Sequence, residues 1–132
     1  MRPFLVDSSV WISASHAAKP ECLLLKRLIS RNAPICLIRA IQSEVCQGAR
    51  SEELFHRLWD SFLGFNFLEV TDRHWGLSSW NYFRCRKKGL TLGTLDCLIG
   101  TIAQDYRISL WTLDKTLLKA GAIIGFESFK ER

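Results

Sequence analysis

FLVDSSVWI, residues 4–12, holds in nine residues the unit from which the chain is built. Phe4 to Val6 is a short apolar run of β type that ends on a carboxylate, Asp7. Ser8 and Ser9 can then cap a helix carrying Val10, Trp11 and Ile12. Short runs of this kind alternate with longer helical stretches along the chain, the pattern of an α/β domain with a mainly parallel sheet. Pro20 sits where a first helical turn tolerates it, and Leu24, Leu25, Leu28 and Ile29 form an apolar stripe up to Asn32 and Pro34. A strand at Ile35 to Ile38 leads into a helix from about Ala40 to Gly48. Another helix runs through Leu54, Leu58, Trp59 and Phe62 to Gly64. Phe65 to Val70 reads as extended or irregular.

Thr71 can cap the next helix, which passes Trp75 and Trp80 to a basic end, Arg84, Arg86, Lys87 and Lys88, closed by Gly89. A helix near Thr94 to Tyr106 precedes a strand at Ile108 to Leu113. A short helix and a last strand at Ala122 to Phe126 complete the chain. The expectation is one domain over residues 1–132, with a four- or five-stranded, mainly parallel sheet flanked by helices.

The chain has 132 residues, 48% hydrophobic and 23% charged, which suits a single globular domain and argues against disorder or a fibrous architecture. Eighteen Lys and Arg against thirteen Asp and Glu give a net charge of +5, which favours a polyanionic partner such as nucleic acid; a basic domain with no such role is the alternative. Cys22, Cys36, Cys46, Cys85 and Cys97 are odd in number, lie in apolar surroundings and form no CxxC pair. They read as buried thiols in a reducing compartment. His16, His56 and His74 have no zinc-ligand spacing. Asp7 breaks the first apolar run too early for a signal peptide, and no run approaches the ~20 apolar residues that span a bilayer, so a cytoplasmic protein without membrane association is expected.

Four carboxylates stand apart from the solvated ones. Asp7 and Asp114 each follow an apolar strand, FLV and ISLWTL, and so belong at the carboxyl edge of the sheet, where open α/β sheets bind ligands; a helix N-cap is the plainer role for either. Ile41, Glu44, Val45 and Gly48 share one helix face, which places a carboxylate on a stripe expected to be buried or at its rim. Asp96 is the only charge in LGTLDCLIG, residues 92–100, and an isolated buried carboxylate must be protonated, paired or bound to a cation. If the four converge, their repulsion calls for a counterion. All-oxygen ligands select Mg2+ or Mn2+ over zinc. Gly93 and Gly100 would leave room for the hydrated ion and a phosphate, or would only permit close helix packing.

FLVDSSVWI at the start, SEVCQG around Glu44, RKKGLTLGTLDCLIGTIA around Asp96 and LWTLDKTL around Asp114, in this order, resemble the PIN domain family, and within it the VapC-like toxins of type II toxin-antitoxin pairs. The resemblance covers almost the whole chain. It implies that Asp7, Glu44, Asp96 and Asp114 hold one or two Mg2+ or Mn2+ ions, with Ser8 and Thr112 as polar neighbours of the metal. It implies endoribonuclease action on structured RNA such as transfer or ribosomal RNA, leaving a 5′ phosphate and a 3′ hydroxyl. A homodimer and a small antitoxin lying over the active-site groove are implied as partners. The chain departs from the family pattern at Thr116 and Leu117, where many relatives carry an acid followed by Phe. That departure bears on a fifth ligand and a second metal.

Arg84, Arg86, Lys87 and Lys88 could guide RNA phosphates toward the acidic centre or form a solvated helix end. Trp11, Trp59, Trp75, Trp80 and Trp111 read as core and interface residues rather than base-stacking ones. The rival readings are a catalytically silent PIN-fold domain that binds RNA or a partner, a phosphoacceptor resembling response regulators, and cleavage of DNA instead of RNA.

Overall fold

The computed structural model describes residues 1–131. Strands β1 (Phe4–Val6), β2 (Ile35–Leu37), β3 (Asn66–Phe67) and β4 (Ser109–Trp111) form one sheet in the order β3-β2-β1-β4, with every pairing parallel. Around it pack α1 (Ser8–Ala14), α2 (Pro20–Ser30), α3 (Arg39–Gln47), α4 (Glu52–Ser61), α5 (Asp72–Lys87), α6 (Thr94–Asp105) and α7 (Lys115–Ile124).

The all-apolar run Phe4 to Val6 has the composition of a strand covered on both faces, and all three residues are fully buried. Their side chains alternate between two cores. Phe4 and Val6 pack with Leu25, Leu28 and Trp111 on one side, and Leu5 packs with Ile41, Leu98 and Ile102 on the other. The register Val6↔Trp111 brings the carboxyl ends of β1 and β4 level. Winding proceeds from β1 through β2 to β3 and then returns to the other side of β1, so the topological switch point lies between β1 and β4.

Several sequence expectations are corrected. Ala122 to Phe126 is no strand: α7 continues to Ile124 and stops at Gly125, whose φ of 99° is the left-handed conformation that ends helices. The sheet edge beyond β4 is instead met by a parallel bridge between Leu110 and Ser128. Phe65 to Val70 does contain a strand, the two residues of β3, and β4 is shorter at both ends than Ile108 to Leu113. Ser8 and Ser9 do not cap α1 but lie inside it, with Asp7 at the N-cap position.

Gly100 and Gly121 make room for Phe126. A Cβ on Gly100 would stand 3.0 Å from the Phe126 ring, and one on Gly121 3.2 Å from it. Close packing, and not space for an ion, is the role of Gly100. All five cysteines are free and buried. Trp11 and Trp111 pack in the core as expected. Trp59, Trp75 and Trp80 do not, being 41%, 44% and 57% exposed. Among the described residues, no helix is long and apolar enough to cross a membrane.

Candidate metal centre

The switch point gathers the first two carboxylates. Asp7 follows β1 directly, and its N–H donates to the Trp111 carbonyl at 2.9 Å, which zips the ends of β1 and β4 together. Although Asp7 occupies the N-cap position of α1, its side chain caps nothing. Oδ2 accepts instead from Ser9 Oγ at 2.7 Å and from Thr112 Oγ1 at 2.8 Å, and the residue is 2% exposed. Both hydroxyls are themselves held: Ser9 accepts the Leu113 N–H at 3.0 Å, and Thr112 accepts the Asp114 N–H at 3.1 Å. A buried carboxylate is thereby fixed by donors from both sides of the switch point.

Asp114 fills the role of helix cap that its position suggested and keeps half of its acceptor capacity. Oδ1 takes the N–H groups of Thr116 at 2.9 Å and Leu117 at 3.1 Å, while Oδ2 enters no hydrogen bond within the described residues. Glu44 comes from α3, half-buried at the rim of its helix face. Its Oε1 accepts from Ser8 Oγ at 3.1 Å, and the same hydroxyl lies 3.5 Å from Asp7 Oδ1. Asp96 stands in the first turn of α6. It is half-buried, not fully buried as its apolar neighbours suggested, because the helix presents its first turn to the carboxyl edge of the sheet. Gly93 gives it space, since a Cβ there would lie 3.2 Å from Asp96 Oδ2.

The four carboxylates feel one another. The Asp96 carboxyl is pushed up to about 6, first by burial and then by the charges of Asp7, Asp114 and Glu44. Glu44 is also raised, by burial above all and by Asp7, against the lowering effect of its Ser8 hydrogen bond. Neither Lys nor Arg relieves the repulsion: among the described residues the Arg–carboxylate pairs are Arg27–Glu131 and Arg73–Asp105, and the His–carboxylate contacts are His56–Glu52 and His74–Asp105. The donors are hard oxygens with net negative charge, which fits a divalent cation of the Mg2+ class in chemistry. They are not a closed cage. Among the described residues, no three His, Cys, Asp or Glu side chains form a group that could hold a metal ion.

The basic run divides. Arg86, Lys87 and Lys88 are exposed where α5 ends and α6 begins, at the edge that carries Asp96. Arg84 is half-buried and turned to Asn81 Oδ1 at 2.7 Å, with Nε buried and without a partner. Asn81 in turn donates to Thr101 at 3.0 Å, so Arg84 belongs to the α5–α6 packing. Sequence reading passed over Ser9 as a site residue. Its helix-capping role looked sufficient, and its partner Thr112 lies 103 residues away.

The PIN domain family model matches residues 4–123. No curated protein matches the chain in sequence. Among solved structures, VapBC2 from Rickettsia felis, bound to a DNA fragment from its promoter, aligns with a TM-score of 0.76 at 17% identity, over 97% of this chain and 98% of that one. VapBC-1 from nontypeable Haemophilus influenzae gives 0.76 at 15% identity over 98% of both chains. Mycobacterium tuberculosis VapC20, a toxin that cleaves the sarcin-ricin loop, gives 0.69 at 15% identity over 89% of this chain and 95% of that one. At these identities the neighbours establish a shared fold. The match over residues 4–123 goes further: this chain belongs to the PIN domain family.

Proposed function

We propose that this protein is a VapC-like toxin, a Mg2+- or Mn2+-dependent endoribonuclease that hydrolyses phosphodiester bonds of structured RNA. The observation that carries the reading is the shared field on Asp96. Burial raises it first, three carboxylates from three other parts of the chain raise it further, and no basic side chain pairs with any of them. Drawn closer together than they stand in this structure, Asp7, Glu44 and Asp96 would hold the principal ion, with Asp114 Oδ2 holding it or orienting water. When bound, a divalent ion supplies a more acidic water and offsets charge growing on the phosphate oxygens. The chain's own residues do the rest. Ser9 and Thr112 keep Asp7 oriented, Ser8 couples Asp7 to Glu44, and the capping bonds on Oδ1 leave the other oxygen of Asp114 without a hydrogen bond among the described residues. Arg86, Lys87 and Lys88, with the net charge of +5, draw a polyanion toward an edge whose carboxylates would repel it.

The neighbours support the partners. Two are VapBC complexes and one is named for cleaving the sarcin-ricin loop, which favours a cognate antitoxin and a structured RNA for this chain. A homodimer fits the exposed Trp59 and Trp80. The second reading is a catalytically silent PIN-fold domain that binds RNA or a partner. It is favoured by the open arrangement of the acids and by Thr116, which by the family resemblance stands where many relatives carry an acid. Incubation with total RNA and Mg2+ or Mn2+, then with EDTA, alongside Asp96→Asn, separates the two. Cleavage that survives the chelator or the substitution rejects the metal mechanism, and no cleavage at all favours the silent domain.

A further inference from the structure

A groove of about 460 Å3 opens where the carboxyl ends of β2 and β3 meet α5 and α6, with Arg39, Ala40, Phe67, Glu69, Trp75 and Leu98 among its lining. It shares two helices with the acidic centre, although none of the four carboxylates lines it. Ala40 lies one turn before Glu44 on α3, and Leu98 follows Asp96 on α6. Arg39 and Trp75 are among its exposed side chains. Arg39 is fixed in place, with its guanidinium 3.7 Å from the centre of the Phe67 ring and a hydrogen bond to Gln42 Oε1 at 2.8 Å. Gln42 is buried and donates to the Trp59 carbonyl at 3.3 Å. Yet among the described residues no carboxylate forms an ion pair with Arg39. Trp75, for its part, is 44% exposed although it sits in a concave wall.

We propose that this groove binds one unpaired nucleotide of the RNA substrate, with its base on Trp75 and its phosphate at Arg39. The inference rests on the nuclease reading above. An indole and a held guanidinium lining one groove offer what a nucleotide needs, stacking for the base and a cation for the phosphate. The groove is of the size that takes small ligands, and a base stacked within a duplex cannot enter it, which selects loops and single strands. Glu69, the one acid on the lining, opposes a bare phosphate and suits a base with an exocyclic amino group, which uracil lacks. An apolar peptide would use Trp75 but leave Arg39 without a counter-charge.

The test separates binding from cleavage. Full-length Asp96→Asn protein is titrated with a fluorescein-labelled single-stranded RNA decamer of mixed sequence, and with the same RNA annealed to its complement. The expected result is binding of the single strand that weakens about tenfold or more with Trp75→Ala and is retained with Trp75→Phe. Arg39→Ala should also weaken it and reduce its salt dependence, with Arg39→Lys in between. In the otherwise unaltered chain, these substitutions should raise KM for RNA and leave kcat within about twofold. The decamer binding equally well to folded Trp75→Ala and Arg39→Ala overturns the proposal, as does failure of the parent Asp96→Asn to bind it. Loss of self-association or of antitoxin binding in those variants, with RNA affinity intact, overturns it in favour of a protein contact. Failure of the nuclease reading shows separately, as absent cleavage by the unsubstituted chain.

Discussion

Thr112 and Asp7 come from strands 105 residues apart in sequence, yet the Thr112 hydroxyl donates to Asp7 Oδ2 at 2.8 Å. Thr112 Oγ1 also accepts the Asp114 N–H at 3.1 Å, so one buried hydroxyl ties the acid after β1 to the acid after β4. Thr112→Val keeps the shape and removes the hydroxyl, leaving an acceptor and a donor without their partner. We expect a loss of about 1–3 kcal/mol in urea unfolding, and a fall of about 10–100-fold in RNA cleavage because Asp7 is less firmly held. Thr112→Ser keeps both bonds and should lose much less of either. Equal losses in the two variants would show that the hydroxyl does not matter.

Asp96 gives the centre a pH signature. Its carboxyl is raised from 3.8 to about 6 in the folded chain, so folding favours the protonated form. Between those values the unfolded chain ionises first, and stability must therefore fall as pH rises through this window. Metal-free protein melted in EDTA across this range should show the decline, and Asp96→Asn should be flatter and more stable at neutral pH. Mg2+ or Mn2+ should raise the melting temperature of the parent protein far more than that of the variant. A metal-induced rise of the same size in both would remove Asp96 from the ligand set.

His74 and Asp105 stabilise the opposite edge. α6 runs 12 residues from the acidic centre to Asp105, a span of about 18 Å. There Asp105 accepts from Arg73 at 2.8 Å and lies 2.7 Å from His74 Nε2. His74 Nδ1 accepts the Thr71 N–H at 3.0 Å and closes the start of α5. Arg73, and His74 after it, hold the Asp105 carboxyl below its usual range, so its contribution is present above the ordinary carboxylate pKa and is lost as pH falls below it. Asp105→Asn should blunt acid unfolding, and His74→Ala should cost about 1–3 kcal/mol. Neither should alter kcat for RNA. A change in kcat would place this cluster in the active machinery.

The parts legible in the sequence were those fixed by local chemistry. FLV followed by Asp7 read correctly because a strand buried on both faces has to be apolar throughout, and Asp114 read correctly in its capping role because an Asp before a helix has a backbone partner nearby. Ala122 to Phe126 misled because Ile123 and Ile124 carry β propensity, while the packing of Gly121 against Phe126 that favours a helix is tertiary. Gly125 was the signal that could have corrected it. Ser9 and the Arg39–Trp75 groove were out of reach, since each depends on elements that only the folded sheet brings together.

Gly93 and Gly100 lie within one helical segment, yet alanine should act on them in opposite ways. At Gly100 a Cβ would stand 3.0 Å from the ring of Phe126, which is 7% exposed and has no room to swing aside. Overpacking of this kind outweighs the better helix propensity of alanine, so Gly100→Ala should cost about 1–2 kcal/mol in urea unfolding and leave cleavage intact. Pairing it with Phe126→Leu should recover part of the loss, because the smaller side chain vacates the contact. At Gly93 the nearest atom to the new Cβ is Asp96 Oδ2, at 3.2 Å, and the residue is exposed at the N-cap of α6. Gly93→Ala should therefore cost little stability and instead displace the carboxylate, lowering RNA cleavage and the melting-temperature gain from Mg2+ or Mn2+. Unchanged metal response in Gly93→Ala, with Asp96→Asn losing it, would mean that the carboxylate tolerates the shift and that Gly93 has no part in the centre.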